Sequence, residues 1–290
     1  MARYPVAFAA VALVVASSAH AADTASGAFN APKAGTIAVS HAAAYTVPDQ
    51  RDARSSVTEI LLADVPINRT ELQAAFDPHM VAINLDALRG HNYVLVWVRP
   101  DGSASMNATF SKTMTQYLND TNGGLSVTWT ARTPSRLEGR ISSSAPLKTF
   151  DGETYTVDLK FGVDLPAAPA GQRVAAGGGE PGRALTAFLA AVQQKNWTAI
   201  KAGSSTRALG LFDHDYNTPA ENASDVADLI NAWIGGTKLK VTGGVVTGDV
   251  AVLEVESELF PGQLSLSRVE MVRTPAGWKF NQATRAGLLR

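Results

Sequence analysis

The spacing of apolar residues predicts that the last third of the chain opens with helices. From Ala184 to Ala202, side chains such as Phe188 and Val192 recur every three or four positions, which places them on one helix face. Pro181 and Gly182 stand just before this stretch and should stop any earlier helix.

Two further helices are predicted after this one. Trp197 and Ile200 continue the apolar spacing, so a short helix should end at Gly203, followed by a loop over residues 204–219. The helical period returns from Ser224 to Ile234, and Ser224 is its predicted N-cap.

The spacing of the apolar residues then changes from one every 3.6 residues to one every 2 residues, which indicates strands. Turns containing Gly or Pro separate four of them, and helices followed by an antiparallel meander predict an α+β domain. The predicted strands are Lys238–Val246, Asp249–Phe260, Gln263–Arg273 and Trp278–Gln282.

Four segments of this region resemble a known superfamily: ALTAFLAAVQQKNWTAIKA, VADLINAWIGG, LKVTGGVVTGDVAVLEVES and VEMVRTPAGWKF. They are similar to the small secreted bacterial members of the nuclear transport factor two-like superfamily, whose cystatin-like cone is shared by ketosteroid isomerases and polyketide cyclases. The resemblance implies helices packed on a curved antiparallel sheet over residues 183–290. It implies no single function, because the superfamily includes enzymes, binding proteins and scaffolds.

Residues 35–165 are predicted to form a mainly antiparallel, sandwich-like β domain. Its clearest hairpin turns at Pro100-Asp101-Gly102, and one helix is predicted at Arg69–Phe76. The segment from Ser40 to Leu72 also resembles, less specifically, a β-rich module of uncharacterised secreted bacterial proteins. The predicted strands are Thr36–His41, Ser56–Ala63, Tyr93–Arg99, Ser103–Phe110, Leu125–Ala131, Arg136–Ser142 and Tyr155–Leu165.

The remaining segments are predicted to be a targeting signal and two irregular stretches. Arg3, an apolar core and the Ala19-His20-Ala21 motif predict a signal peptide over residues 1–21, so the mature chain should begin near Ala22 in the periplasm or outside the cell. No later run approaches the ~20 apolar residues that a stable membrane anchor needs. Residues 22–34 predict a flexible lead-in, and the Ala-, Pro- and Gly-rich residues 166–182 predict a linker.

Composition narrows the possible chemistry. Hydrophobic residues make up 46% of the chain, which is enough for two ordinary cores, and the absence of cysteine excludes disulfides and thiolate metal sites. Removal of Arg3 with the predicted signal peptide leaves 24 of the 25 basic residues against 26 acidic residues, a formal charge of −2. Such a balance gives no general attraction to phosphate backbones, so no nucleic-acid partner is expected.

The strongest catalytic candidates are Asp213 and His214, because two carboxylates beside an imidazole, as in Asp213-His214-Asp215, could tune a general base. A surface loop is the competing interpretation. The run begins like a calcium loop but has Thr218 in place of the required Gly, so no metal site is predicted there. His41, His79 and His91 lack ligand spacing, and no cofactor is predicted.

The strand Asp249–Phe260 should place apolar residues inside the domain and Glu254, Glu256 and Glu258 outside, where Arg268 and Arg273 could partner them. A hollow cone would then offer an apolar ligand a pocket without an obvious acid or base. The pocket candidates are Phe188, Val192, Phe212, Trp233, Leu253 and Val255.

Three functions stay open on the sequence alone. The preferred hypothesis is a non-enzymatic exported module that binds a small apolar ligand or another exported protein. The first alternative is a cyclase- or isomerase-like enzyme that uses Asp213 or His214 as its base. The second is a structural protein that forms a homodimer through the outer face of the C-terminal sheet.

Overall fold

The computed structural model describes residues 23–113, 115–120, 124–149, 152–167 and 170–289, and the predicted signal peptide lies outside them. This part of the chain is a mixed α/β structure with three antiparallel sheets. Residues 23–167 build two of the sheets and are called the N-terminal unit, and residues 170–289, the C-terminal unit, build the third. No helix among the described residues combines the length and the apolar character that a membrane span requires.

The first sheet of the N-terminal unit combines strands from both ends of the unit. Its order is β2-β1-β11-β9-β8, with the short β10 also paired to β11. The strands are β1 (Thr24–Ala31), β2 (Gly35–Ala38), β8 (Leu125–Arg132), β9 (Arg136–Ser143), β10 (Leu147–Lys148) and β11 (Thr154–Asp164).

The second sheet is a meander in chain order, and one of its faces shares a core with the first sheet. The rings of Phe29, Tyr117 and Tyr155 lie at the centre of that core, with centroids 5.1 to 5.4 Å apart. The strands are β3 (His41–Asp49), β4 (Asp52–Ala63), β5 (Tyr93–Val98), β6 (Ala104–Phe110) and β7 (Thr115–Asp120).

Two short helices cover part of the opposite face of the second sheet. α1 (Arg69–Ala74) and α2 (Pro78–Asn84), followed by a 3-10 turn at Asp86–Leu88, bury Leu72 and Ala82 against it. Asn68 and Asp77 cap the two helices by accepting a backbone N–H with their side chains.

In the C-terminal unit, helices precede a five-stranded antiparallel sheet that contacts the first of them, which confirms the predicted order of elements. The helices bury one face of this sheet, where Phe188 and Phe280 stack with centroids 4.5 Å apart. The helices are α3 (Gly179–Gln193), α4 (Trp197–Gly203), α5 (Thr206–Phe212) and α6 (Pro219–Trp233). The strands are β12 (Gln172–Val174), β13 (Thr237–Thr247), β14 (Val250–Phe260), β15 (Gln263–Thr274) and β16 (Gly277–Leu288).

Both stretches predicted to be irregular contain strands. Most of the predicted lead-in is β1, which pairs with β11 and buries Phe29 completely. The predicted linker contains β12, which pairs with β13, and it also contains the start of α3. Pairing with distant strands supplies backbone hydrogen bonds that the local composition does not indicate.

Several element boundaries also differ from the prediction. The predicted strand Thr36–His41 spans the end of β2 and the start of β3, because the chain crosses there from the first sheet to the second. Pro181 and Gly182 lie in the first turn of α3, where the missing proline N–H has no helical partner to lose. The predicted loop 204–219 contains α5, and β7 and α2 have no counterpart in the prediction.

The start of α6 is a further correction. Its N-cap is Thr218 rather than Ser224, and Thr218 and Glu221 form a reciprocal capping box. Ser224 lies inside the helix and accepts a hydrogen bond from Lys195.

The two units contact each other through β3 and β4 on one side and β15 and β16 on the other. Ala53 of β4 packs against Leu266 and Ala286 in a small apolar cluster. Gly287 lies against the β3–β4 turn, where a Cβ atom would come within 2.9 Å of the Gln50 Cα atom.

Candidate functional site

A row of side chains crosses the second sheet on the face that the helices leave partly open. The strand register places Tyr45 opposite Glu59, Glu59 opposite Trp97 and Trp97 opposite Ser105. Residues directly opposite each other in antiparallel strands project from the same face. Strand pairing therefore brings together four residues that lie far apart in the sequence.

Glu59 is the buried centre of this row, with 2% of the residue exposed. The Trp97 indole donates its Nε1–H to Glu59 Oε1 at 2.6 Å, and His79 Nδ1 lies 2.9 Å from Glu59 Oε2. Asp77 begins α2 as its N-cap, so His79 falls in the first turn of the helix and faces the sheet. Both carboxylate oxygens therefore have partners, which a buried charge requires.

The environment of Glu59 shifts the protonation of two neighbours. The hydrogen bond to Glu59 is the main cause that raises the pKa of His79 above 6.5, against the opposing effect of burial. Burial, followed by the nearby Glu59 carboxylate, raises the pKa of Tyr45. The Tyr45 hydroxyl is buried near that carboxylate without a hydrogen bond of normal geometry.

The C-terminal unit supplies the facing wall. Thr284 of β16 donates its hydroxyl to Asp77 Oδ2 at 2.7 Å, which fixes this wall to the start of α2. Arg268 of β15 is the register partner of Thr284, and its guanidinium lies 5.4 Å from the centre of the Phe76 ring. A cleft of about 490 Å³ lies between the walls.

Arg268 differs from the other three arginines that line the cleft. Arg99 forms an ion pair with Asp49 at 3.5 Å, Arg285 donates to the Asn231 carbonyl at 3.5 Å, and Arg51 is exposed to solvent. Arg268 is half-buried, and its side chain makes no hydrogen bond or ion pair among the described residues.

The charge of Arg268 persists despite this burial. Burial lowers its pKa, while Asp77, Glu254 and Glu270 act in the opposite direction from longer range. An arginine remains protonated in such a site. A half-buried positive charge that contacts an aromatic ring but has no ion pair or hydrogen bond among the described residues therefore faces the cleft.

The carboxylates of the cleft are already engaged. Asp49 lies 3.5 Å from Arg99 and also accepts the backbone N–H of Arg51 at 2.9 Å. Glu59 and Asp77 have the partners given above, so the three carboxylates of the lining are occupied. Four arginines against three carboxylates leave an excess of positive charge.

The predicted catalytic pair lies elsewhere, on the surface of the C-terminal unit. Asp213 is paired with Lys201 at 2.6 Å, and Asp215 is exposed. The side chain of Asn222 spans this loop by binding Asp213 and the backbone of His214. These contacts give the loop a structural role. That Asp213 or His214 acts as a base stays a prediction.

The predicted apolar pocket residues all belong to the core of the C-terminal unit. Phe188, Phe212 and Trp233 take part in a stack of rings with Phe280, and Val192 is 5% exposed. Leu253 and Val255 are completely buried in the same core. The cleft between the units is lined by none of them.

The glutamates of β14 lie on the side of the sheet opposite this core, as the alternation predicts, but their partners differ. Glu258 pairs with Lys238 at 2.5 Å, and Glu256 reaches Arg54 of the N-terminal unit at 3.9 Å. Part of the outer face proposed for dimerisation is therefore in contact with the N-terminal unit. In the part of the chain that the structure describes, no three His, Asp or Glu side chains are arranged to hold a metal ion.

The sequence contains one signal for the cleft. Glu59 stands beside Ile60, Leu61 and Leu62 in an otherwise apolar strand, where a charge requires a buried partner. Its partner His79 is twenty positions away, and the spacing of His79 from other histidines and carboxylates makes it look like an isolated histidine. Nothing in the spacing indicates that Arg268 faces the same cleft.

Comparison with known proteins identifies no relative. No protein-family model matches the chain, and neither the curated proteins nor the solved structures contain a significant match.

Proposed function

We propose that this chain is an exported binding protein whose ligand, a small organic anion, occupies the cleft between the two units. Arg268 carries the proposal, because its half-buried guanidinium faces the cleft without an ion pair. A planar guanidinium binds carboxylates and phosphates through two parallel hydrogen bonds. A ligand anion would supply the partner that the described residues do not.

The rest of the cleft suits an anion with an organic body. Val47, Val57 and Met80 provide apolar surface, and Trp97 lies on β5, between the strands that carry Val57 and Ser105. Ligand sites in proteins commonly combine such apolar walls with a few fixed polar groups, and they often lie between domains. The Glu59 network holds Trp97 and His79 in fixed positions, which reduces the ordering that binding would require.

Export and family membership are part of the same proposal. The signal-like N-terminus supports a location in the periplasm or outside the cell. The succession of α3–α6 and a five-stranded sheet supports a cone of the nuclear transport factor two-like type in the C-terminal unit, with the first two sheets as a β-sandwich domain. In this arrangement the core of the cone is filled, and its outer face contributes to the site.

The binding test uses a panel of small carboxylates: acetate, benzoate, succinate and glutamate. We expect at least one of them to raise the melting temperature of the full chain, and Arg268→Gln to weaken its binding at least tenfold. Arg273→Gln is the matched control, because Arg273 is on the same strand but stacks on Trp278 outside the cleft. Equal binding by the Arg268 variant, or no binding by any panel member, would contradict the proposal.

Enzymatic activity at the same cleft is a second candidate function. The specific observation is the His79–Glu59 pair, in which a buried carboxylate orients an imidazole and raises its pKa. This is the usual arrangement of a general base. Turnover of small ester substrates that rises with pH through the His79 pKa, and that is lost in His79→Gln, would favour the enzyme.

A further inference from the structure

A second cavity continues the cleft across the second sheet. It has a volume of about 440 Å³, and it shares Arg51, Trp97 and Ser105 with the first cavity. Its far end is formed by Leu118 and Asn119 of β7. The two cavities therefore meet at Trp97 and form one groove, from Arg268 to Leu118.

The strand spacing gives the length of the part of the groove that crosses the second sheet, from Glu59 on β4 to Leu118 on β7. The row that contains Glu59 and Trp97 runs perpendicular to the strands, and β4 is three strand spacings from β7. Neighbouring strands are about 4.8 Å apart, so this distance is about 14 Å, the length of roughly four residues of extended peptide.

The groove has a different chemistry at each end. Positive charge is concentrated at the end with Arg268, whereas Leu118 at the other end is 68% exposed. Between them, Ser105 makes no side-chain hydrogen bond among the described residues. A free hydroxyl on the floor suits a peptide backbone better than an alkyl chain.

From this arrangement we infer that the ligand is an extended peptide of about four residues, with its C-terminal carboxylate at Arg268 and an apolar side chain at Leu118. This inference rests on the proposed function, and it adds the ligand's length, direction and class. The carboxylate supplies the charge that the cleft requires, while Trp97 contacts the middle of the peptide.

The test offers the full chain three probes and detects binding by native mass spectrometry. The probes are a mixture of randomised tetrapeptides with a free C-terminal carboxylate, the same mixture with C-terminal amides, and dodecanoate. We expect the free-acid peptides to bind at least tenfold more tightly than the amides and than dodecanoate. Arg268→Gln should remove this preference for the free acid.

Leu118→Ser distinguishes the long groove from the cleft alone. Leu118 is exposed, so the variant should fold, and Leu211→Ser on α5 is the matched control for loss of an exposed leucine. We expect Leu118→Ser to weaken peptide binding at least fivefold and to leave the binding of small carboxylates unchanged.

The outcomes separate this inference from the proposed function. Binding of small carboxylates that depends on Arg268, together with peptides that bind no more tightly or are unaffected by Leu118→Ser, would overturn the inference and leave the proposed function standing. Tighter binding of dodecanoate than of peptides would also overturn it. Failure of every probe would overturn both.

Discussion

Glu59 connects the two donors that define the N-terminal wall of the cleft. One of them, His79, links the stability of the protein to pH, because its pKa is raised in the folded state. A group with a raised folded-state pKa contributes stability that is present in full below its unfolded pKa. That contribution is lost as the pH rises through the folded-state value.

We therefore expect the free energy of unfolding of the wild type to fall between about pH 6 and about pH 8.5, since the unfolded histidine titrates near 6.5. His79→Gln should reduce this fall, and so should Glu59→Gln, which removes the charge that raises the pKa. Urea denaturation at the two pH values measures the effect.

Trp97→Phe is the control, because it removes the other hydrogen bond to Glu59 without removing the imidazole. It should lower the free energy of unfolding by about 1–3 kcal/mol at both pH values. An unchanged pH dependence in His79→Gln would contradict the assignment.

The residues of the cleft show why a sequence pattern is not enough to find the site. Asp213 and His214 are adjacent in the sequence, which favours a functional interpretation, yet they bind Lys201 and Asn222 at the surface. Glu59 and His79 become neighbours only when α2 packs on the second sheet. A pair of that kind depends on the tertiary arrangement, which one sequence does not specify.

At the scale of elements, the hydrophobic period predicts α3, β13, β14 and β15 well, but it gives only Trp278–Gln282 of β16, which spans Gly277–Leu288. It fails for α5, which has seven residues, buries Ala208 and Phe212, and exposes Leu211. It places the C-terminal end of α6 correctly but does not show how that end is held, by buried Ser257 and Ser267 of the sheet, which donate hydroxyl groups to the last carbonyls. Serines of this kind resemble ordinary polar residues in a sequence pattern.

The capping box of α6 gives a prediction at this scale. Thr218→Ala removes the side-chain acceptor for the Glu221 backbone N–H and should lower the free energy of unfolding by about 1 kcal/mol. Ser224→Ala should change it by less than about 0.5 kcal/mol, because Ser224 is inside the helix and its bond to Lys195 is exposed. Thermal denaturation of both variants measures the difference, and a larger loss in Ser224→Ala would place the cap where the sequence predicts it.

At the scale of the whole molecule, the division into a β-rich part and an α+β part is predictable, but the docking between them is not. The predicted linker contains β12, and the interface uses small residues such as Ala53 and Ala286. Small side chains at an interface leave no mark in a hydrophobic pattern. The cleft could not be predicted either, because it exists only where the two units are in contact.

Gly287 tests this docking. Its φ of 150° and the closeness of Gln50 mean that a methyl group there would clash with the β3–β4 turn. Gly287→Ala should separate the units, increase the radius of gyration measured by X-ray scattering, and weaken ligand binding at the cleft.

Gly35→Ala is the control for backbone strain alone. Gly35 also has a positive φ, but a Cβ atom at this position would have no described atom within 4 Å. The variant should leave the radius of gyration unchanged. Equal compactness of the Gly287 variant and the wild type would show that the turn adjusts and that the contact does not hold the units together.

The pairing of β1 with β11 has a consequence for how the protein is made. β1 pairs with the neighbouring β2 on one edge, but on its other edge Thr24 pairs with Gly162, so that edge has no partner until the N-terminal unit is almost complete. Ribosomes add roughly 5–20 residues per second, which leaves the β11-facing edge of β1 unpaired for on the order of ten seconds. A chain that cannot complete its first sheet early stays partly open during synthesis, and an open chain suits the export that we propose.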